Sequence, residues 1–243
     1  MNKIIESLFE RKSARIFLKK EIDPKDKALI IDSALQAPTA GNMCLYSIID
    51  ISDQSVKDKL AVYCDNQPFI AQAPMVLVFA ADYQKYYELY KTIVDIEELD
   101  KPQVGDLLLA CSDAAIAAQN TVVAAESLGI GSCYIGDVME NHDQIKELLN
   151  LPDYTFPFCM LVYGYPTDQQ KQRSKPLRFK AEDIVYENKY EIKDEDALNR
   201  MFSNQKSDQN YKEIAEKIYN LKYNVAFRKE MNKSVAKYLE KWR

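Results

Sequence analysis

Three cations and a hydroxyl lie close together near the start of the chain, in a protein whose formal net charge is −5. Arg11, Lys12 and Arg15 surround Ser13, so the local charge opposes the overall one. Forked guanidinium donors and a hydroxyl match the oxygens of a small anion, such as a phosphate. Charge runs are more often solvated surface, and cations also favour the C-terminal end of a helix. The cluster alone therefore leaves two interpretations open, a phosphate site and a solvated helix end.

A second basic cluster follows a predicted strand in the last third of the chain. Its four cations are Lys171, Arg173, Lys175 and Arg178. Pro176 stiffens this loop and lowers the entropy cost of holding the cations in place. Two basic loops that are distant in sequence could clamp one phosphate, although this segment by itself is also typical of a solvated loop.

The remaining polar residues form no hydrolytic or metal-binding pattern. His142 is the only histidine and lies in a polar helix start, so no catalytic triad can be argued. The acidic residues lack the spacing of a ligand set, and we expect no metal. The five cysteines are odd in number and form no C-x-x-C pair, which indicates buried thiols in a reducing compartment. If the protein is an enzyme, its chemistry would therefore be carried by a bound cofactor.

Three of the six glycines fall in one segment, Gly129-Ile-Gly-Ser-Cys-Tyr-Ile-Gly136. A dinucleotide-binding fingerprint needs a strand, then the glycines, then a helix. Here Tyr134 stands at the third glycine position and the order is helix, glycines, strand, which excludes that fingerprint. Two interpretations remain, a backbone that approaches a ligand at a strand end and a simple helix cap at Gly129.

The composition is ordinary for a folded soluble protein, with 243 residues, 47% of them hydrophobic and 28% charged. An acidic balance argues against a nucleic-acid partner. We expect no apolar run that crosses a bilayer and no secretory signal, and hence a cytoplasmic protein without a membrane partner.

Helices and strands are predicted to alternate along the chain, which by itself is typical of an α/β arrangement. Asp23 and Pro24 form a helix start, and the longest helix is predicted over residues 106–128, where many alanines permit a central position. Further helices are predicted over residues 55–63, 143–149, 211–221 and 223–242. Strands are predicted over residues 46–51, 75–81, 130–135 and 158–165. The helices beyond residue 190 are interpreted as an appendage.

Together these motifs resemble the nitroreductase family, in its flavin reductase-like branch of FMN-dependent NAD(P)H oxidoreductases. The resemblance covers most of the chain in order, and it rests on seven segments: Arg11-x-Ser-x-Arg15, Ala37-Pro-Thr-Ala-Gly-Asn42, Asn66-Gln67 before Ala71-Gln-Ala-Pro74, Gly129 to Gly136, Lys175-Pro176 with Arg178-Phe179, Glu187-Asn-Lys-Tyr190 and Met231-Asn-Lys-Ser-Val235.

The resemblance implies an α+β fold with a mixed, mainly antiparallel sheet around a central helix. It places an FMN-binding core over residues 1–190 and a C-terminal helical extension over residues 191–243. It also implies a homodimer with two FMN molecules at the interface.

The resemblance also assigns cofactor-binding roles to residues of those segments. The residues expected to hold the FMN phosphate are Arg11, Ser13, Lys175 and Arg178. The residues expected at the flavin ring are Gln67, Tyr134, Ile135 and Gly136, with Thr39 and Asn42 supplied by the partner subunit. Arg15 is expected at the pyrimidine edge, where a cation stabilises the negative charge that the ring gains on reduction.

The implied activity is a ping-pong transfer of two electrons from NAD(P)H through FMN to a small-molecule acceptor. Nitroaromatics, quinones and free flavins are all acceptors that the resemblance allows. Three alternatives stay open: a non-catalytic FMN-binding protein, another flavin reaction such as reductive dehalogenation or flavin cleavage, and a phosphate-binding interaction protein without flavin.

Several positions depart from the family pattern. Ala40 stands where serines are usual, and Met43-Cys44 replaces a Gln-Pro pair, which would change the substrate wall. Leu177 stands where an arginine is common, Lys12 is left to solvent, and Arg200 could meet a nucleotide phosphate.

Overall fold

The structure is a computed structural model that describes residues 1–203 and 211–243. Its contacts divide the chain into two compact units, one of Met1–Arg173 with Glu230–Arg243 and one of Ser174–Lys229. The predicted domain boundary at residue 190 stays a prediction. The division by contacts falls at a different place and includes the last residues of the chain in the first unit.

An antiparallel sheet of four strands forms the centre of the first unit, in the order β1-β2-β4-β3. The strands are β1 (Tyr46–Asp50), β2 (Met75–Asp82), β3 (Gly131–Ile135) and β4 (Thr155–Gly164). Leu77 of β2 pairs with Leu161 of β4, and Cys133 of β3 pairs with Val162 of β4. The α+β class and the antiparallel sheet implied by the resemblance are thereby confirmed.

Eight helices lie wholly within the first unit. They are α1 (Lys3–Glu10), α2 (Pro24–Leu35), α3 (Gln54–Tyr63), α4 (Pro68–Gln72), α5 (Gln84–Tyr90), α6 (Val104–Ser127), α7 (His142–Leu148) and α8 (Asp168–Gln172). The predicted start of α2 is confirmed, because the Asp23 side chain accepts a hydrogen bond from the Lys25 backbone.

The sheet is covered by helices on both faces, because alternate side chains of each strand point to opposite sides. On one side, Leu77 and Phe79 pack against α6, whose Ala114, Ala117 and Ala118 are fully buried. On the other side, Val76 and Val78 pack against a layer from α3, α4 and α7, through Leu60, Ile70 and Ile145. The prediction that the long alanine-rich helix is central is correct.

By length and composition α6 is long and apolar enough to cross a membrane, which the expectation from the sequence had missed. Close to half of its most apolar window, 44%, is buried inside the protein. The apolar composition of α6 therefore has a sufficient cause in its packing against the sheet and α2.

The end of the chain differs from the predicted appendage. Tyr238 and the fully buried Trp242 join an aromatic cluster of the first unit. The Tyr238 ring lies 5.1 Å from the Phe156 ring, and the Trp242 ring lies 5.5 Å from the Tyr154 ring. Residues 230–243 are therefore part of the first unit's core.

The second unit consists of short helices and connecting segments. Its helices are α9 (Ala181–Ile184), α10 (Glu195–Ser203), α11 (Tyr211–Ile218) and the start of α12 (Ala226–Leu239), with a π-helical turn at Tyr219–Tyr223. The phenyl rings of Phe179 and Phe202 meet at 5.4 Å in this unit. Helix α10 falls in a polar, charged segment for which we had predicted no helix.

Candidate functional site

The N-terminal basic segment is fixed to one end of the sheet by backbone hydrogen bonds. The Ala14 amide donates to the Ser132 carbonyl of β3 at 3.0 Å. The Leu18 amide donates to the Tyr165 carbonyl, just beyond β4, at 2.8 Å. Because Ser13 and Arg15 flank Ala14, their positions are set by the edge strand β3.

Two glycines make room for this segment. A Cβ atom added at Gly131 would lie 2.8 Å from Ala14 Cβ, and one added at Gly164 would lie 2.7 Å from the Phe17 ring. Gly129, by contrast, has a φ of +72° with open space around it, which is the cap predicted for the end of α6. Gly131 therefore allows a close approach to the backbone of β3, but the group that approaches is the chain's own basic segment and not a ligand.

Two residues of the second basic cluster, Lys171 and Arg173, contact the first cluster within the first unit. Arg173 Nη2 donates to the Ser13 carbonyl at 2.8 Å. Lys12 Nζ donates to the carbonyls of Lys171 at 2.5 Å and Arg173 at 2.6 Å. The expectation that Lys12 meets only solvent is therefore wrong, because its ammonium holds the second loop against the first. Arg173, which was given no cofactor role, belongs to this site through the same contacts.

Arg11 carries the least satisfied charge of this region. It ends α1, and its backbone amide donates to the Ser7 carbonyl at 2.8 Å. Its side-chain Nε and Nη2 atoms are buried and have no hydrogen-bond partner in the described part of the chain. Two buried guanidinium nitrogens without acceptors are costly even in a half-buried side chain, so this geometry favours an anion.

The thiol of Cys133 shows where the guanidinium charges converge. Burial raises the pKa of Cys133, while the charges of Arg15, Arg11 and Arg173 oppose that rise. Arg15 itself is exposed, and its backbone amide is held by the buried Gln170 at 3.0 Å. The edge strand β3 therefore lies under a region of positive potential built from both basic clusters.

The residues expected at the flavin ring lie at the end of β3. Tyr134 is 36% exposed between buried neighbours, and its hydroxyl donates to Gln119 Oε1 at 3.3 Å. Ile135 is buried and leads into Gly136. Burial raises the pKa of Tyr134, so its hydroxyl stays protonated.

Gln67 reaches the same end of β3. Its Nε2 donates to the Cys64 carbonyl at 2.9 Å and to Asp137 Oδ2 by a shorter contact. Asp137 directly follows Gly136, so this contact brings Gln67 and Gly136, both predicted site residues, close together. Because both hydrogens of the Gln67 amide are used, the side chain can offer a ligand only its Oε1 acceptor.

The loop with Thr39 and Asn42 is held from α6. The buried carboxylate of Asp113 accepts from the Ala40 amide at 2.9 Å and the Leu45 amide at 3.0 Å. Asn42 adopts a left-handed φ of 58°. Its contact with a partner subunit's cofactor, like that of Thr39, stays a prediction.

The departures from the family pattern shape the same loop. The Met43 carbonyl accepts from the Tyr86 hydroxyl at 2.8 Å. The Cys44 amide donates to Thr39 Oγ1 at 3.2 Å, and the Cys44 side chain is exposed. The expectation that all cysteines are buried is wrong at Cys44, because this residue lies in the loop that differs from the family pattern, outside the core. Cys111 is only partly buried.

Lys175 and Arg178 lie in the second unit. Arg178 is exposed, and its Nη1 donates to the Pro176 carbonyl at 3.3 Å. Their proposed sharing of a phosphate with Arg11 stays a prediction. The same unit contains a cavity of about 760 Å³ whose charged lining residues are three cations, Lys180, Lys193 and Arg200, and two carboxylates, Glu182 and Asp183. Among the described residues, no group of three or more His, Cys, Asp or Glu could hold a metal ion.

Comparison with known proteins gives concordant matches. A sequence model of the nitroreductase family matches residues 8–165. The chain is 30% identical over 213 residues to an FMN reductase (NADPH) of Bacillus subtilis, covering 87% of this chain and 84% of that protein. It is 33% identical over 203 residues to an oxygen-insensitive NADPH nitroreductase of Salmonella typhimurium, covering 82% of this chain and 80% of that protein. The crystal structure of nitroreductase A from Vibrio parahaemolyticus matches with a TM-score of 0.84 at 26% identity, over 100% of this chain and 98% of that one.

Proposed function

The chain belongs to the nitroreductase family, and from this membership we propose that it is an NAD(P)H-dependent FMN oxidoreductase acting on small-molecule acceptors. The relatives' names, an FMN reductase and an NADPH nitroreductase, support the flavin and the nucleotide donor. The acceptor, a nitroaromatic, a quinone or a free flavin, belongs to the proposal.

The observation that carries the cofactor assignment is the unpaired guanidinium of Arg11. Its buried Nε and Nη2 atoms lack acceptors. The phosphate of FMN offers several anionic oxygens, and arginine binds phosphate with two parallel hydrogen bonds. Ser13 and Arg173, which touch each other, supply further donors beside it. The donor set therefore fits a phosphate monoester.

Each remaining residue of the site has a role that its chemistry allows. Bound FMN would supply the redox centre, which accepts a hydride from NAD(P)H and passes it to the acceptor. Arg15 would lie where negative charge develops and stabilise it. Gln67 would accept a hydrogen bond through Oε1, and Tyr134, Ile135 and Gly136 would line the ring from the end of β3.

Absorption spectroscopy and a coupled turnover assay test the activity. Freshly purified protein should show the visible bands of oxidised flavin, and NADPH should bleach them until a nitroaromatic or a quinone restores them. Flavin bands that neither NADPH nor NADH bleaches would support the non-catalytic flavin-binding alternative. Colourless protein that does not take up added FMN would overturn the proposal.

Replacing Arg11 by alanine tests the phosphate assignment. We expect FMN affinity to fall by about 10- to 100-fold, the cost of one charge-assisted contact, while riboflavin affinity stays unchanged because riboflavin has no phosphate. Titration by flavin fluorescence measures both constants. The matched control is Lys19→Ala, which removes an exposed cation nearby. An equal loss for FMN and riboflavin would contradict the assignment.

Arg15 is assigned to the ring and not to the phosphate, and its replacement distinguishes the two roles. Arg15→Ala should lower the flavin midpoint potential and slow reduction by NADPH more than it weakens FMN binding. Potentiometry and stopped-flow absorbance measure these quantities. If only FMN binding collapses, the assignment to the ring is wrong.

A homodimer would explain the apolar surface of the first unit. The exposed side chains of Ile4 in α1 and Leu108 and Leu109 in α6 are 64%, 63% and 52% accessible. Helices α1 and α6 also contact each other. A patch of this kind is typical of an interface, and a second copy of the chain would cover it. Leu109→Glu should halve the mass measured by light scattering and reduce FMN retention.

The cavity around Arg200 supports a preference for the phosphorylated nucleotide. Three cations line it together with Asn199, Ser203 and two carboxylates, and one of these carboxylates, Glu182, is already paired with Lys180 at 3.6 Å. Arg200→Ala should raise the KM for NADPH and leave the KM for NADH unchanged, because only NADPH carries the extra phosphate. Equal changes for both nucleotides would contradict this role.

A further inference from the structure

A buried acid, one of whose carboxyl oxygens has no hydrogen-bond partner among the described residues, lies beside the predicted ring contacts. Glu140 ends the single 3-10 turn Asp137–Met139 that follows Gly136, and its amide donates to the Asp137 carbonyl at 3.0 Å. Only 5% of the residue is exposed, and its Oε1 atom is buried with no hydrogen-bond partner among the described residues. A negative charge on this oxygen would lack both water and a hydrogen-bond donor from the described residues.

The charged groups around Glu140 make ionisation still less favourable. Asp137 from the same turn, Asp65 from the turn after α3 and Glu230 from α12 raise its pKa, after the larger effect of burial, to about 7. On α12, the ammonium of Lys237 is paired with Asp143 at 2.7 Å.

Two further titratable groups belong to this region. The Asp143 carboxylate also contacts His142 Nδ1, at 2.8 Å. Cys64, buried at the end of α3, has its pKa raised by burial and then by Asp137 and Glu140. Neither group supplies Glu140 with a positive partner.

Asp137 connects this acid to the site. Its carboxylate accepts the amide hydrogen of Gln67, and that contact leaves Oε1 as the only atom that Gln67 can present. A change of charge at Glu140 acts on a carboxylate three residues away in the same turn, and therefore on the side chain that Asp137 orients.

We propose that Glu140 is a positioning residue that must hold a proton for Asp137 to keep Gln67 oriented toward the flavin. Loss of that proton places a second negative charge beside the Asp137 carboxylate in a buried turn. The repulsion is relieved when the turn moves toward water and Asp137 leaves the Gln67 amide. This inference rests on the proposed function only in its last link, the contact between Gln67 and the flavin.

Flavin binding as a function of pH tests the whole inference. We expect the dissociation constant for riboflavin to rise roughly tenfold as the pH passes through about 7, the effect of losing one hydrogen bond. Riboflavin avoids the titration of the FMN phosphate. Glu140→Gln should remove this rise while binding like the wild type at acidic pH, and Glu147→Gln, on the exposed face of α7, should retain it. Parallel profiles for the wild type and Glu140→Gln would overturn the inference.

A second readout needs no added flavin. The infrared band of a protonated carboxylic acid should titrate near pH 7 in the wild type and be absent in Glu140→Gln, and the side-chain amide NMR signal of Gln67 should shift over the same range. Asp137→Asn should move the titration to lower pH, because it removes a neighbouring negative charge. If these signals behave as expected and no flavin binds at any pH, the proposed function fails and the role of Glu140 stands. A Gln67 signal that ignores the titration overturns that role.

Discussion

Gly131→Ala is the sharpest test of how the fold places the basic segment. The added Cβ would lie 2.8 Å from Ala14 Cβ and 3.1 Å from Pro166 Cγ. Carbon atoms in contact prefer about 3.5–4.0 Å, and neither neighbour is the end of a flexible side chain, so Ala14 must retreat by roughly 1 Å. Overpacking of this kind costs about 1–3 kcal/mol. Ser13 and Arg15 move with Ala14, so FMN affinity should fall as well.

Urea unfolding and flavin titration, performed on the same preparations, measure both effects. The matched control is Gly105→Ala, because an added Cβ in this first turn of α6 meets no atom within 4 Å. We expect this control to keep its FMN affinity and to gain about 0.5–1 kcal/mol of stability, since alanine favours a helix.

A second substitution separates the close approach from a general loss of stability. Ala14→Gly removes the atom that the new Cβ meets, so in the Gly131→Ala background it should recover part of both losses, with a coupling energy of about 0.5–3 kcal/mol. If the two substitutions add without recovery, or if Gly131→Ala binds FMN as well as the wild type does, the steric argument is refuted.

Three further predictions concern the elements around the site. Asp113→Ala leaves the amides of Ala40 and Leu45 without their acceptor, and urea unfolding should show a loss of about 2–4 kcal/mol. The pKa of Glu140 rises from its ordinary 4.5 to about 7 in the fold, so the folded state holds the proton more tightly than the unfolded state. The free energy of unfolding should therefore fall by up to about 3 kcal/mol as the pH rises from 4.5 to 7. Glu140→Gln should remove this fall, and identical pH profiles of the two proteins would contradict the prediction. Trp242→Ala should cost about 3–5 kcal/mol, because this side chain is fully buried in the first unit, and a thermal midpoint equal to the wild type would show that the chain end is an appendage after all.

Local signals in the sequence were enough to predict most elements of the first unit. Asp23 and Pro24 begin α2 because a carboxylate caps the first turn and proline is pre-set for it. The alanine-rich stretch forms the central helix α6, and Gly129 ends it. The direction of the strands was harder to predict. A continuous apolar run such as β2 is typical of a parallel sheet, but here an antiparallel strand is buried on both faces by helices.

The missed features depend on contacts between residues that are distant in sequence. Gly131 and Gly164 are small because Ala14 and Phe17 pass over them, and no local pattern contains that information. The carbonyls that Lys12 binds likewise belong to α8 and the residue after it, 159 and 161 positions later in the sequence. The basic residue types themselves were visible, and Arg173 could have been named from the second cluster. Helix α10 was missed because its segment is mostly polar, although Leu198, Met201 and Phe202 have the i, i+3, i+4 spacing of an amphipathic helix.

The two interpretations of the first basic cluster, helix end and phosphate site, are both parts of one arrangement at Arg11. Its backbone closes α1, and a cation at that position gains only about 0.3–1 kcal/mol from the helix dipole. Leaving buried donors of a charged group without acceptors costs more than that, about 1–3 kcal/mol or above. The helix end alone therefore does not account for a half-buried Arg11 with Nε and Nη2 withdrawn from water. An anion that occupies those donors changes the sign of the balance, and this is why the affinity for FMN, compared with that for riboflavin, is the measurement that decides between a helix end and a cofactor site.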